Sequence, residues 1–132
     1  MSVVVGYVPR PEGEAALEQA IVQARTRDAR LVVVNSSRGD ALVDERYVQP
    51  DQVTALEKRL SSARVDHLLV QSMRGRDPAD EVLDAAEQHR ADLIVIGLRR
   101  RSPVGKLIMG STAQRILLEA RCPVLAVKAS PH

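Results

Sequence analysis

Residues 92–120 read DLIVIGLRRRSPVGKLIMGSTAQRILLEA, and this stretch decides the fold. Asp92 leads into Leu93, Ile94, Val95 and Ile96, a short unbroken apolar run of the kind that makes a parallel strand buried on both faces. From Ala113 to Ala120 the apolar residues recur at helical spacing, with Ser111 and Thr112 placed to cap the first turn. Between strand and helix lies GLRRRSPVGKLIMGST, residues 97–112, a loop punctuated by glycine. Backbone N–H groups and the positive end of a helix dipole both point into such a loop, which makes it an anion site. It is no Walker loop, because Arg100 and Leu107 stand where that motif needs glycine and Ser or Thr.

Working outward, Pro123, Val124, Leu125, Ala126 and Val127 open a final strand that runs to Lys128, with residues 129–132 as a frayed tail. Toward the N-terminus, residues 65–70 (VDHLLV), 31–34 (LVVV) and 3–7 (VVVGY) read as three further strands. Helices separate them. One starts near Pro11 and buries Ala15, Ala16, Leu17, Ala20, Ile21 and Ala24, with Glu12 and Glu14 early, where the dipole favours negative charge. Another is capped by Asp51 and buries Val53, Leu56 and Leu60; a third starts at Asp77-Pro78 and turns Val82, Leu83, Ala85 and Ala86 inward. Residues 37–50 are polar and long for an ordinary connection, and residues 72–76 (SMRGR) form a glycine-containing loop. Strand and helix thus alternate five times, which implies an α/β fold: a doubly wound open five-stranded parallel sheet with helices on both faces, in a single domain spanning 1–132.

Composition narrows the function. Only two Tyr and no Trp or Phe occur, so single-stranded nucleic acid finds no stacking platform. The 19 basic and 17 acidic residues interleave to a net charge of +2, with one basic cluster at Arg99, Arg100, Arg101 and Lys106. No stretch approaches the length of a membrane span and the chain opens directly on a strand, which predicts a cytoplasmic protein that binds neither membrane nor nucleic acid. The single cysteine, Cys122, reads as a small buried apolar residue. His67, His89 and His132 lie in separate elements without metal-ligand spacing, and no nucleophile elbow surrounds Ser111, so neither catalytic nor metal-binding residues are predicted.

The loop resembles that of the universal stress proteins, in which glycine, two residues, glycine, nine residues, glycine and Ser or Thr follow one another. Gly97, Gly110 and Ser111 match; Arg100 stands at the second glycine. The opening residues 3–17 and the final strand from Cys122 resemble the same family, except that Val8 holds the place where its nucleotide-binding members carry Asp. The resemblance implies a strand order of 3-2-1-4-5 and a homodimer made through the last strand. It implies a regulatory module rather than an enzyme, binding ATP or another adenine nucleotide, with magnesium alongside ATP. Val8, Pro9, Ser36, Gly97, Arg99, Arg100, Gly110, Ser111 and Thr112 would form that site. The alternative is an interaction protein of the same fold that has lost its ligand, with Val8 sealing the adenine end and Arg100 folded across the loop. A weak ATPase is the third reading.

Overall fold

Alternating side chains of the central strands feed two separate cores. The computed structural model describes residues 1–36, 48–72, 76–101 and 106–129. Of the long connection after Ser36, only positions 48–50 fall among them; the loop after Ser72 and the tail lie largely outside. The strands are β1 (Ser2–Gly6), β2 (Arg30–Ser36), β3 (His67–Ser72), β4 (Leu93–Arg101), β5 (Lys106–Ile108) and β6 (Val124–Lys128). The helices are α1 (Pro11–Arg27), α2 (Pro50–Ser62), α3 (Pro78–Gln88) and α4 (Ser111–Glu119).

Val3, Val5, Leu31, Val33, Leu93 and Val95 pack with Leu17, Leu56 and Leu60 of α1 and α2. Their neighbours Val4, Val32, Ile94 and Ile96 pack with Val82 and Ile116 of α3 and α4 on the opposite face. Such period-two sorting is what a strand covered on both sides requires. Burying one of these side chains contributes about 1.5–3 kcal/mol.

All five long strands pair in parallel, in the order β3-β2-β1-β4-β6, which is the expected 3-2-1-4-5 arrangement with β6 as its fifth member. Right-handed crossovers explain the layers: β1 to β2 to β3 moves one way across the sheet and places α1 and α2 on one face. The chain then doubles back to β4 and on to β6, so α3 and α4 take the other. Between β1 and β4 the winding direction reverses.

Three local expectations are corrected. β4 does not end at Ile96: Gly97 and Leu98 continue its ladder against Val127 and Lys128 of β6, and Arg99, Arg100 and Arg101 then pair antiparallel with Ile108, Leu107 and Lys106. Part of the expected loop is therefore a two-stranded ribbon. Asp51 is not the cap of α2; Pro50 takes the first helical position, and Gln49 caps through reciprocal bonds with Gln52. Neither Ser111 nor Thr112 caps α4, whose N-cap is Gly110 with no side-chain cap bond. Asp77 does cap α3, accepting from the Ala79 N–H at 3.0 Å. Among the described residues no helix is long and apolar enough to cross a membrane.

Near the carboxyl ends of β2 and β3 a buried amide holds the chain together. Asn35 is fully buried; its Nδ2 donates to the Tyr7 carbonyl at 2.9 Å and its Oδ1 accepts from the Val48 N–H at 2.9 Å. Gln71 Nε2 donates to the same Oδ1 at 3.1 Å and to the Val48 carbonyl at 2.9 Å. Buried polar groups deprived of a partner cost about 1–3 kcal/mol. Asn35→Ala strands both a carbonyl and an N–H, and it should lower unfolding free energy by about 2–3 kcal/mol in urea denaturation.

Candidate functional site

At the carboxyl ends of β1 and β4, where the winding reverses, a cleft of about 330 Å³ opens. Open α/β sheets place ligands at this point, and the size falls in the usual range for small-molecule sites, about 300–1,000 Å³. Val8, Ser36, Gly97, Arg99, Gly110, Ser111 and Thr112 line it, so the structure brings together seven of the nine expected residues. Pro9 is not among the lining residues, and the side chain of Arg100 lies outside the described set. Tyr7, Arg10, Glu12 and Gly13 also line the cleft, above an apolar floor of Val34, Val82, Ile96 and Ile116. Their signal in the sequence was Gly13 itself, a residue that weakens a helix by about 1 kcal/mol and so marks a place where something must come close.

Two glycines make the cleft possible by admitting backbone. A Cβ on Gly13 would stand 1.8 Å from the Val8 carbonyl oxygen, and one on Gly97 would stand 2.1 Å from that of Glu12. The first turn of α1 is thereby pressed against the end of β1 and against β4. Gly110 behaves differently. Its backbone is extended at φ −71° and ψ 169°, and a Cβ there would meet nothing within 4 Å. The residue opens α4 toward the cleft without filling it. Helical N-termini leave their first N–H groups without partners inside the helix, so this end presents the positive pole of α4.

Charge in the cleft is arranged around Glu12, whose side chain is only 13% exposed. Its Oε1 lies 3.3 Å from Arg10 Nε and 3.9 Å from Arg99 Nε. Behind the wall, the Tyr7 hydroxyl donates to Glu14, which also pairs with Arg59 of α2. Burial, then the hydrogen bond to Glu14, raises the Tyr7 pKa well beyond its ordinary value, so the phenol stays protonated. Arg115 of α4 reaches Asp77 and Asp80 at the start of α3, joining the two helices on that face.

Other titratable candidates stand apart from the cleft. His67, on the edge strand β3, places Nε2 2.7 Å from Glu57 and Nδ1 2.9 Å from the Val65 carbonyl. Desolvation alone would depress its pKa, but these two acceptors, with Asp66, outweigh it and raise the value. Burial, helped by the charge of Asp92, pushes the Cys122 thiol up, which keeps it protonated.

A family model described as the universal stress protein family matches residues 1–128. The chain belongs to this family. A universal stress protein from Mycolicibacterium smegmatis is 46% identical over 130 residues, covering 98% of both chains. The structure of a universal stress protein from Archaeoglobus fulgidus superposes with a TM-score of 0.71 at 32% identity, covering 97% of this chain and 98% of that one. A universal stress protein from the same organism in complex with dAMP gives a TM-score of 0.66 at 28% identity, with the same coverage. Within the universal stress protein pattern, Val8 and Arg100 remain the departures, and Val8 is a partly buried residue of the cleft wall.

The glycines should separate by substitution. Gly97→Ala drives a methyl into backbone and should cost about 2–3 kcal/mol, whereas Gly110→Ala, in open space, should change stability by less than about 1 kcal/mol in the same urea titration. For His67 the sign follows from the raised pKa. The stabilisation from its charged form is complete below the ordinary value of 6.5 and is lost as pH rises through the higher folded value. His67→Gln should therefore destabilise the protein more at about pH 6 than at about pH 9, as measured by urea midpoints against the unmodified chain.

Proposed function

We propose that this single-domain protein is a regulatory module that binds an adenine nucleotide in the cleft between β1 and β4. One observation carries the reading: the N-terminus of α4, whose N-cap Gly110 has no side chain to fill the space before it, meets a cleft of ligand size at the sheet's reversal point. Phosphate oxygens would lie against Gly110, Ser111 and Thr112, where backbone donors and the helix dipole converge on negative charge. The sugar and base would lie toward Val8 and Ser36, over the apolar floor. The dAMP complex of the Archaeoglobus fulgidus relative supports the same ligand class.

Magnesium fits less well than the nucleotide. Among the described lining residues Glu12 is the carboxylate, and two arginines already neutralise it. A magnesium ion would therefore arrive on the ligand's own phosphates and waters rather than on a protein cage. The same commitment of Glu12 leaves it poorly placed as a base, which favours regulation over catalysis. The dimer would form through β6, an edge strand whose Val124, Leu125, Ala126 and Val127 are all only partly buried.

One feature favours a second reading, an interaction protein without ligand. Val8 supplies no carboxylate for the ribose and adenine end, and losing one such contact weakens binding by about 1.5–3 kcal/mol. Isothermal titration with millimolar AMP or ATP decides between them. The nucleotide reading expects saturable heat that Gly110→Asp abolishes, because its carboxylate would enter phosphate space. Absence of heat and of any thermal shift, with and without magnesium, overturns it in favour of the second.

A further inference from the structure

We infer that Glu12 is a built-in counter-ion that occupies the cleft's cationic groups and makes the site discriminate ligands by phosphate charge. Resting on the nucleotide reading, this assigns a specificity-determining role to a residue at the second position of α1. Three observations converge on it.

Glu12 is the hub of a three-member cluster, with Oε1 between Arg10 Nε at 3.3 Å and Arg99 Nε at 3.9 Å. Glu12 belongs to the cleft lining, and its side chain, 13% exposed, is far less accessible than that of Arg99 at 71%. The pairing with Arg10 is also incomplete. Among the described residues, Arg10 Nε is the buried side-chain polar atom that has no hydrogen-bond partner, although Glu12 sits within ion-pair distance. That Nε is closed to solvent, so at this atom Arg10 acts as a standing positive charge beside Glu12 rather than as a donor to a ligand.

The position of Glu12 is held by the fold. Its carbonyl is wedged against Gly97, so its backbone cannot retreat from β4 without opening the contact between α1 and the sheet. An anionic ligand therefore meets a fixed negative charge beside the positive end of α4. Neutral portions of a ligand do not feel this charge; each added phosphate does. With Glu12 ionised, the cluster carries one net positive charge, and without it two. Glu12 thus acts as a standing competitor for the arginines, holding phosphate affinity down and the cleft closed to adventitious polyanions.

Isothermal titration of the full chain and of Glu12→Gln with adenosine, AMP and ATP in magnesium-free buffer tests this. Expected is adenosine affinity unchanged within about twofold, AMP tighter by about tenfold and ATP by more, the order set by removing one like charge a few ångströms away in a partly screened site. An unchanged affinity for all three, or an equal gain that includes adenosine, overturns the inference. If neither protein binds any adenine compound, the nucleotide reading has failed on its own, and inorganic pyrophosphate becomes the probe. Tighter pyrophosphate binding by Glu12→Gln then upholds the role of Glu12, and equal or absent binding by both proteins overturns it. Should circular dichroism show Glu12→Gln unfolded, Glu12→Ser removes the same charge from a helical first turn that tolerates serine, and the same readouts apply.

Discussion

The contact on which the rest of the molecule depends is backbone against backbone, at the place where α1 begins. Gly13 lets the helix touch the Val8 carbonyl and Gly97 lets β4 touch the Glu12 carbonyl, both closer than any side chain would permit. Peptide groups brought this near leave no slack between the first strand, the first helix and the fourth strand. The cleft is the space left over. Its wall is consequently a rigid piece of main chain, and the groups mounted on it, Arg10 and Glu12 above all, take their positions from that packing rather than from a loop.

Around this contact the two cores act independently. Odd-numbered valines of β1 face α1 and α2, while Val4 faces α3 and α4, so each helical layer grips the sheet through its own set of side chains. Part of the cleft's floor belongs to the second layer, since Val82 and Ile116 come from α3 and α4. A ligand in the cleft would touch both layers at once. Near the ends of β2 and β3, Asn35 and Gln71 tie these strands to the main chain of Tyr7 and Val48, so the polar groups there are answered by side-chain amides.

Much of this was readable from residue types, and the failures have causes. The strands were legible because both faces are buried, which demands the near-continuous Val, Leu and Ile runs that sequence reading finds most easily. Helix starts are legible at Pro11 and at Asp77-Pro78, whereas the stronger cap signals Asp51 and Ser111 stand two residues and one residue after the true caps, Gln49 and Gly110. Helix ends gave nothing away: Asp28, Arg64 and Arg90 adopt the left-handed conformation usually left to glycine. The ribbon was hidden because Lys106, Leu107 and Ile108 are too few to show a period, and Arg99, Arg100 and Arg101 look like loop. In the cleft, the residues singled out by glycine spacing, Gly97 and Gly110 to Thr112, line one wall. On the other wall the family resemblance points to Val8 and Pro9, whereas the part taken by Tyr7, Arg10, Glu12 and Gly13 emerges only once three elements are packed. The strand order itself came from family resemblance, since no local pattern encodes it.

Tyr7 has one further implication. It is one of only two tyrosines in a chain without tryptophan or phenylalanine, and it is a buried residue beside the cleft whose hydroxyl is tied to Glu14. The protein is therefore nearly transparent in the near ultraviolet, and its faint emission comes partly from the cavity wall itself. An adenine carried through purification would dominate the absorption spectrum, so the cuvette alone can reveal whether the molecule leaves the cell empty-handed.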